Sequence, residues 1–508
     1  MRLNGDMGAT LWRPSSQPGS VISARGVLET LHSGDIIVAK KRKPNFLVVL
    51  IDDLRFDELG ICGHPYMKTP HIDRIGHEGA MFTSAFHTTP LCSPNRASIL
   101  TGQYASRHGI IDNVARDAHS HRLPNYHVIL QRLGYETAHV GKWHMGNSGG
   151  PRPGYDKWVS FPGHGSIVDP ILNIDGDERK YKGYITDLLN GHAVDFLKKK
   201  RDKPFALFFA HKAVHPDAFQ AADGTIDFTN GGYRPAPRHA DLYKGAHFPR
   251  RPNVLPADQV VKDKPAWTEA LALRTNDASR KLLDGILAGT DEEIRLRAAM
   301  MASVDEGMGD VFKALEESGE LDNTFILFLG DNGYFFGEHG LGPERRFAYE
   351  EGIKSPFLIR YPAWFKPGTV NDELVLALDI APTLVDLAGG KAADFETMQG
   401  LSLRPMAKGA KPPSSKSGGW RSSFMCEYFS ENAMPWLIGM SYKAIRTKRH
   451  KYIHWTQKSL DGVACDELYD LKSDPYEMKN LVARRGMGAL VARLRKKLAT
   501  LVAQSVGL

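Results

Sequence analysis

Cysteine is scarce in this chain of 508 residues. There are four, Cys62, Cys92, Cys426 and Cys465. At that density a disulfide scaffold is excluded, and nothing in the sequence pairs any two of them. No apolar run approaches the roughly 18 residues of a membrane span, which excludes a spanning helix. A strong charge of one sign is also missing: 65 Lys+Arg against 58 Asp+Glu leave a net charge of +7. Nucleic-acid binders concentrate basic charge densely on one element, and so weak an excess in so long a chain does not suggest one. The first 43 residues carry no apolar core behind a basic start, so no secretory signal is visible. A cytoplasmic location is the default expectation, and a periplasmic or secreted one follows if the start codon is misassigned. No internal repeat is apparent. What remains, 42% hydrophobic and 24% charged residues, is an ordinary globular composition. The length suits one large domain plus a smaller one.

Residues 1–43 read as a leader without periodicity, ending in the basic run Lys40 to Lys43. Order begins at Asn45–Ile51, an apolar run rich in Val and Ile that suits a buried strand of a parallel sheet. It stops at Asp52-Asp53. Phe205–Ala210 runs likewise into His211, and Thr324–Leu329 into Gly330-Asp331-Asn332-Gly333. Apolar strands that end abruptly in polar residues are the pattern of an open α/β sheet, whose ligands bind beyond the carboxyl ends of the strands. Helical spacing is present in Ala298–Leu315, in Asp379–Leu387, and at the end through Leu490, Leu494, Leu498 and Leu501. Pro216 to Asp291 is irregular and reads as binding chain. Lys408 to Gly419 reads as a low-complexity loop. The alternating pieces Lys451–Trp455 and Glu467–Tyr469 suggest a small antiparallel sheet. The expected fold is therefore α/β: a large mixed, mostly parallel sheet flanked by helices, then a smaller antiparallel subdomain and a terminal helix. The expected boundaries are 1–43, 44–393 and 394–508.

Asp52-Asp53 and Asp331-Asn332 each sit at the end of an expected buried strand. If those strands are neighbours, three carboxylates and an amide carbonyl converge and repel unless a cation lies between them. All-oxygen ligands favour a hard ion, Ca²⁺ or Mg²⁺. Cys92-Ser-Pro-Asn-Arg96 is a Pro-bounded turn running into a helix start, and helix starts attract anions. Its cysteine is a candidate nucleophile or a small buried residue. Lys142 and His144 stand two apart, so an extended segment would point both to one side. His215 follows the Phe205 strand. The Arg345-Arg346 pair follows the Asp331 loop and offers cations to an anionic ester.

Together these segments resemble the sulfatase family of the alkaline-phosphatase-like superfamily. Cys92–Gly102 (CSPNRASILTG) is similar to the first sulfatase signature with its Cys-x-Pro-x-Arg core. Gly134–His144 (GYETAHVGKWH) is similar to the second. The resemblance runs from about Pro44 to Leu481. It implies that Cys92 is oxidised to formylglycine by a formylglycine-generating enzyme. It implies that a hydroxyl of the hydrated aldehyde then attacks the sulfur of a small-molecule or glycan sulfate ester. By the same transfer Asp52, Asp53, Asp331 and Asn332 bind Ca²⁺, with Mg²⁺ as the alternative and residue 92 as a further ligand. Arg96 and Lys142 hold the formylglycine, His144 takes the proton of its second hydroxyl, and His215 lies near the leaving oxygen.

Two positions depart from the family pattern. Asn95 stands where a small residue is usual. Arg345 stands where a sulfate-binding Lys is common, four residues before Tyr349-Glu350. Arg keeps the charge but offers a planar fork instead of a point charge. The expected activity is a sulfuric ester hydrolase on a carbohydrate or aryl sulfate, with no nucleic-acid partner. The alternative is a phosphonate monoester or phosphodiester hydrolase of the same superfamily. An inactive homologue with an unmodified Cys92 is the reading from another class. A thiol hydrolase would leave the strand-end carboxylates without a role.

Overall fold

Strand Asn45–Ile51 is buried along its whole length because its side chains feed two cores at once. Leu47, Val49 and Ile51 face one, and Phe46, Val48 and Leu50 the other. That is the two-residue period of a strand covered on both faces. Full burial of each such side chain is worth about 1.5–3 kcal/mol, so the continuous apolar run is what centres this strand in the sheet. The computed structural model describes residues 42–254, 264–266, 290–342, 344–408, 419–431, 437, 439–456 and 465–507. The leader up to residue 41, most of the Lys408–Gly419 loop and parts of Pro216–Asp291 lie outside the described residues.

The main sheet has ten strands. Their spatial order is Thr369–Asn371, Ala80–Phe82, Phe357–Arg360, Thr324–Gly330, Asn45–Ile51, Phe205–Ala210, Glu136–Gly141, Lys157–Ser160, Ile171–Ile174 and Asp177–Lys180. The five central strands from Thr324–Gly330 to Lys157–Ser160 run parallel, and antiparallel pairings flank them. The register sets the site. Ile51 pairs with Gly330, Leu50 with Ala210, and Gly141 with Ala210. Strands with different places in the chain therefore stop at one level, and Asp52, Asp331, Lys142 and His211 follow directly at that edge. Gly141 is required there: it has φ +120°, and a Cβ would lie 1.8 Å from the Ala210 carbonyl oxygen.

Helix Asp291–Glu317 is longer than the 298–315 pattern because Thr290 and Glu293 form a capping box at its start. It packs beside helix Ile185–Lys198 at Gly307, where a Cβ would meet the Asn190 side chain at 2.1 Å. Helix Ile380–Ala388 covers the other face. A four-stranded antiparallel sheet orders Ser423–Tyr428, Tyr442–Thr447, His450–Trp455 and Glu467–Asp470. Phe424, Tyr442 and Trp455 of that sheet share a core with Phe86, Phe347 and Tyr349. The terminal helix Gly488–Val506 buries Val491, Leu494 and Leu498 against its other face. Part of Pro216–Asp291 is not irregular: Asp217–Gln220 and Ile226–Gly232 form an antiparallel hairpin. Among the described residues no helix is long and apolar enough to cross a membrane.

Candidate active site

Asp52, Asp53, Cys92 and Asp331 each offer one ligand-type atom, all within 4.8 Å of one another. All four are fully buried. Asp52 and Asp53 follow the central strand, and Asp53 turns the chain away with φ +58°. Asp331 follows the neighbouring strand, and its carboxylate accepts from the Asp53 amide at 3.0 Å. Asn332 Nδ2 donates to Asp53 Oδ1 at 2.7 Å. Cys92 is not in a turn ahead of the helix, as its Pro-bounded context suggests. It is the first residue of helix Cys92–Thr101, because Pro94 and Asn95 are accommodated in the first helical turn. Its Sγ donates to Asp52 Oδ1 at 3.4 Å.

Three cations meet the three carboxylates. Lys142 Nζ donates to Asp52 Oδ2. Arg96 Nε donates to Asp331 Oδ2 at 2.8 Å, and its Nη1 to the Lys142 carbonyl at 2.6 Å. Arg345 Nη1 donates to Asp53 Oδ2 at 2.9 Å and its Nη2 lies 3.5 Å from His215 Nε2. Arg346, by contrast, turns away from the site to Glu344 and Glu431. Burial opposes the charge on Asp52, but Lys142 above all, with His215 and Arg96, holds its carboxyl well below the usual range. Burial pushes Asp331 up to about 7, and the Asp52 charge adds to that. Asp53 is raised by burial too, against the pull of Arg345. Burial, with Asp52 beside it, also raises the Cys92 thiol well above its ordinary value. Burial thus works against the thiolate that a Cys–His hydrolase needs.

Lys142 and His144 do not share a side by strand alternation. The strand ends at Gly141, and His144 takes a left-handed φ of +64°. Such a backbone costs about 1–3 kcal/mol in a residue other than glycine and is held by its surroundings. Those surroundings are named by hydrogen bonds. Gln220 Nε2 donates to the Asn113 carbonyl at 3.0 Å, which turns Gln220 Oε1 to accept from His144 Nε2 at 2.7 Å. Ser93 gives its hydroxyl proton to the His144 carbonyl. His144 Nδ1 is thus left with a lone pair, the form of a base. His215 Nδ1 donates to the Pro216 carbonyl at 2.7 Å, leaving Nε2 toward Asp53 and Arg345.

Of the residues the sequence suggests for the site, Asp52, Asp53, Cys92, Arg96, Lys142, His144, His215, Asp331, Asn332 and Arg345 come together at the sheet edge, and Arg346 does not. The unusual Asn95 is used as well, its Nδ2 donating to the Asp331 carbonyl at 2.6 Å. Sequence reasoning missed Ser93, Asn113, Gln220 and His164. His164 lies in Phe161–Lys182 (FPGHGSIVDPILNIDGDERKYK), a stretch that the sequence suggests as a wall of the substrate pocket without singling out any residue. It lies between His144, whose ring is tilted 48° with centroids 4.1 Å apart, and His215, on which it stacks at 4.4 Å. A cavity of about 700 Å³ opens here, lined by His164, Asp217, Phe219 and Gln220 among others.

A hard cation fits these residues. The Asn332 carbonyl oxygen Oδ1 is buried without a hydrogen-bond partner among the described residues. Asp53 and Asp331 are held above the ordinary carboxylate range by burial, which a cation would relieve. The donor set is oxygen-rich, as Ca²⁺ and Mg²⁺ require.

The comparisons with known proteins agree with this geometry. A family model described as Sulfatase matches residues 44–390. The chain belongs to the sulfatase family. A second model, described as N-sulphoglucosamine sulphohydrolase, C-terminal, matches residues 337–504 of the sulfatase. An N-acetylglucosamine-6-O-sulfatase of Bacteroides thetaiotaomicron is 28% identical over 96% of this chain and 91% of its own. The human N-acetylglucosamine-6-sulfatase is 30% identical over 78% of this chain and 69% of its own. The solved structure of BT4656 in complex with its substrate D-glucosamine-2-N,6-O-disulfate matches with a TM-score of 0.75 at 28% identity. It covers 92% of this chain and 98% of that one. The protein is thus a sulfuric ester hydrolase of the alkaline-phosphatase-like superfamily.

Proposed function

We propose that this sulfatase cleaves a sulfate monoester on a glycan, with Cys92 carried as formylglycine and Ca²⁺ or Mg²⁺ held by Asp52, Asp53, Asp331 and Asn332. The observation that carries the reading is the convergence of those four side chains on Cys92, inside 4.8 Å for the three carboxylates and the sulfur. The glycan is favoured by the relatives named N-acetylglucosamine-6-sulfatase, which span most of the chain. When present, the cation supplies positive charge to the sulfuryl group and the formylglycine hydrate supplies the attacking hydroxyl.

The chain's own residues do the rest. Arg96 fixes the Asp331 carboxylate and, through the Lys142 carbonyl, the start of the Lys142–His144 segment. Lys142 and Arg345 bring fixed positive charge to the place where an anionic ester sits, at no cost of reorientation. His144, with Nδ1 free to accept, takes a proton from residue 92. His215 stands beside Arg345 at the leaving-group side. Ca²⁺ is preferred over Mg²⁺ because the carboxylates crowd the site and leave little room for the waters Mg²⁺ keeps.

The test is production beside a formylglycine-generating enzyme, the partner this reading requires. The tryptic peptide ending at Arg96 should carry the mass of the aldehyde. That protein should release sulfate from N-acetylglucosamine 6-sulfate. An intact thiol, or faster turnover of a phosphonate monoester bearing the same leaving group, would replace the proposal.

A further inference from the structure

His164 has no role in the reading above, yet it is 2% exposed and lies between the two catalytic-site histidines. Its hydrogen bonds fix its chemistry. Nδ1 lies 3.1 Å from Lys142 Nζ. An ammonium only donates, so Nδ1 accepts. An imidazolium has no acceptor, so the ring is neutral and its single proton is on Nε2. That Nε2–H is buried and has no partner among the described residues. A buried donor without an acceptor costs about 1–3 kcal/mol; the residue lines a cavity, and ring nitrogens of His164 and His215 and a carboxylate oxygen of Asp52 lie within 4.8 Å of one another. His144 and His215 do not duplicate it. In their neutral forms their free nitrogens, Nδ1 and Nε2 respectively, are acceptors, because Gln220 Oε1 and the Pro216 carbonyl take their protons.

We infer that His164 is a third substrate-contacting histidine, whose Nε2–H donates a hydrogen bond to the bridging oxygen of the bound sulfate ester. Lys142 holds it in the donor tautomer, and the rings on either side fix its plane. This rests on the sulfate ester proposed above. The ligand class it selects is an ester of an alcohol, since a poor leaving group gains most from a donor at the bridging oxygen. A phenolate leaves well without one.

The experiment compares matured wild type, H164N and H164Q on N-acetylglucosamine 6-sulfate and 4-nitrophenyl sulfate, with formylglycine content measured for each. Asn can still accept from Lys142 but cannot reach the position of Nε2. Gln can place an amide N–H there. H164N should lose about 10²-fold in kcat/KM on the sugar sulfate and less than about tenfold on the aryl sulfate. H164Q should recover to within about tenfold of wild type on both. Equal losses on the two esters, or no loss in H164N, would overturn the inference while leaving the sulfatase reading intact. A matured wild type that hydrolyses neither ester would overturn both. If H164N does not fold, the nitrogen–proton correlation spectrum of ¹⁵N-histidine-labelled wild type decides, with the His164 signal located by its loss in H164Q. A neutral Nε2–H ring supports the assignment, and an Nδ1–H ring or an imidazolium overturns it.

Discussion

Among the described residues two buried acidic clusters invite comparison, because they meet the same electrostatic problem with different donor atoms. One is the Asp52, Asp53, Asp331 group around Cys92. The other lies where the small sheet meets the catalytic loop: His339, Glu351 and Glu477, with ligand-type atoms again within 4.8 Å of one another. In the second cluster, as around Cys92, the chain sets its own cations against the carboxylates. Lys451 Nζ sits 3.0 Å from Glu350 and 2.7 Å from Glu477, and Arg251 sits 3.1 Å from Glu351. Against the effect of burial, Lys451 and Arg446 hold Glu350 well below the usual carboxylate range, and His339 and Arg251 do the same for Glu351. Burial wins at one carboxyl of the clasp, Glu477, which is pushed up to about 7, and at two around Cys92, Asp53 and Asp331, where the Asn332 amide oxygen also lacks a partner among the described residues. An acidic cluster is therefore not a metal site by composition. What sets the Cys92 group apart is an all-oxygen carboxylate set joined by the unpartnered amide oxygen of Asn332, where the clasp has an imidazole, His339. The second cluster is a clasp, joining strand His450–Trp455 to the segment that carries Asn332 and Arg345.

The sharpest way to break this contrast is at the nucleophile. C92A should fold, keep the clasp, and lose sulfate ester hydrolysis by about 10⁵-fold or more; release of sulfate above that level would remove the nucleophile from residue 92. Next come D331N and K451M, each stripping one partner from a buried ion pair, at a cost of about 3–5 kcal/mol. Denaturant midpoints should drop in both. Elemental analysis should find the bound cation lost only in D331N, and a K451M protein without cation would merge the two clusters into one system. Acid should then find the clasp first. Carboxyls held low in the folded state contribute stability that is present above about pH 4.5 and lost as pH falls below it. Stability at saturating Ca²⁺ should decline below that pH, and K451M should flatten the decline. The smallest effect is R345K, which keeps charge but loses the fork between Asp53 and His215. It should cost about tenfold in kcat/KM, roughly 1.4 kcal/mol, with cation content unchanged.

Much of this was legible in the sequence, for local reasons. Asn45–Ile51, Phe205–Ala210 and Thr324–Gly330 are apolar on both faces, and only a covered parallel sheet tolerates that. Their polar successors had to fall at one edge, so Asp52, Asp331 and His215 could be placed before any coordinates. The side on which Lys142 and His144 point could not be. Alternation fails once Gly141 ends the strand and His144 turns left-handed. The hairpin Asp217–Gln220 to Ile226–Gly232 was hidden because one strand has only four residues and the other, IDFTNGG, loses its alternation in Asn-Gly-Gly. His164 was hidden for a different reason. An isolated histidine in a Gly-rich stretch gives no period, and its meaning lies in rings brought from residues 144 and 215.

The burial of Cys92 also fixes an order of events. Its side chain has no exposed surface, and it opens a helix in which every residue is buried. Another protein cannot reach that sulfur once the chain has closed around it. Any enzyme that oxidises Cys92 must take the segment as extended polypeptide, while the sheet edge that will surround it is still unassembled. On the formylglycine reading proposed above, a chain that closed too early would keep its thiol, and timing would decide between active and inert protein before the native state formed.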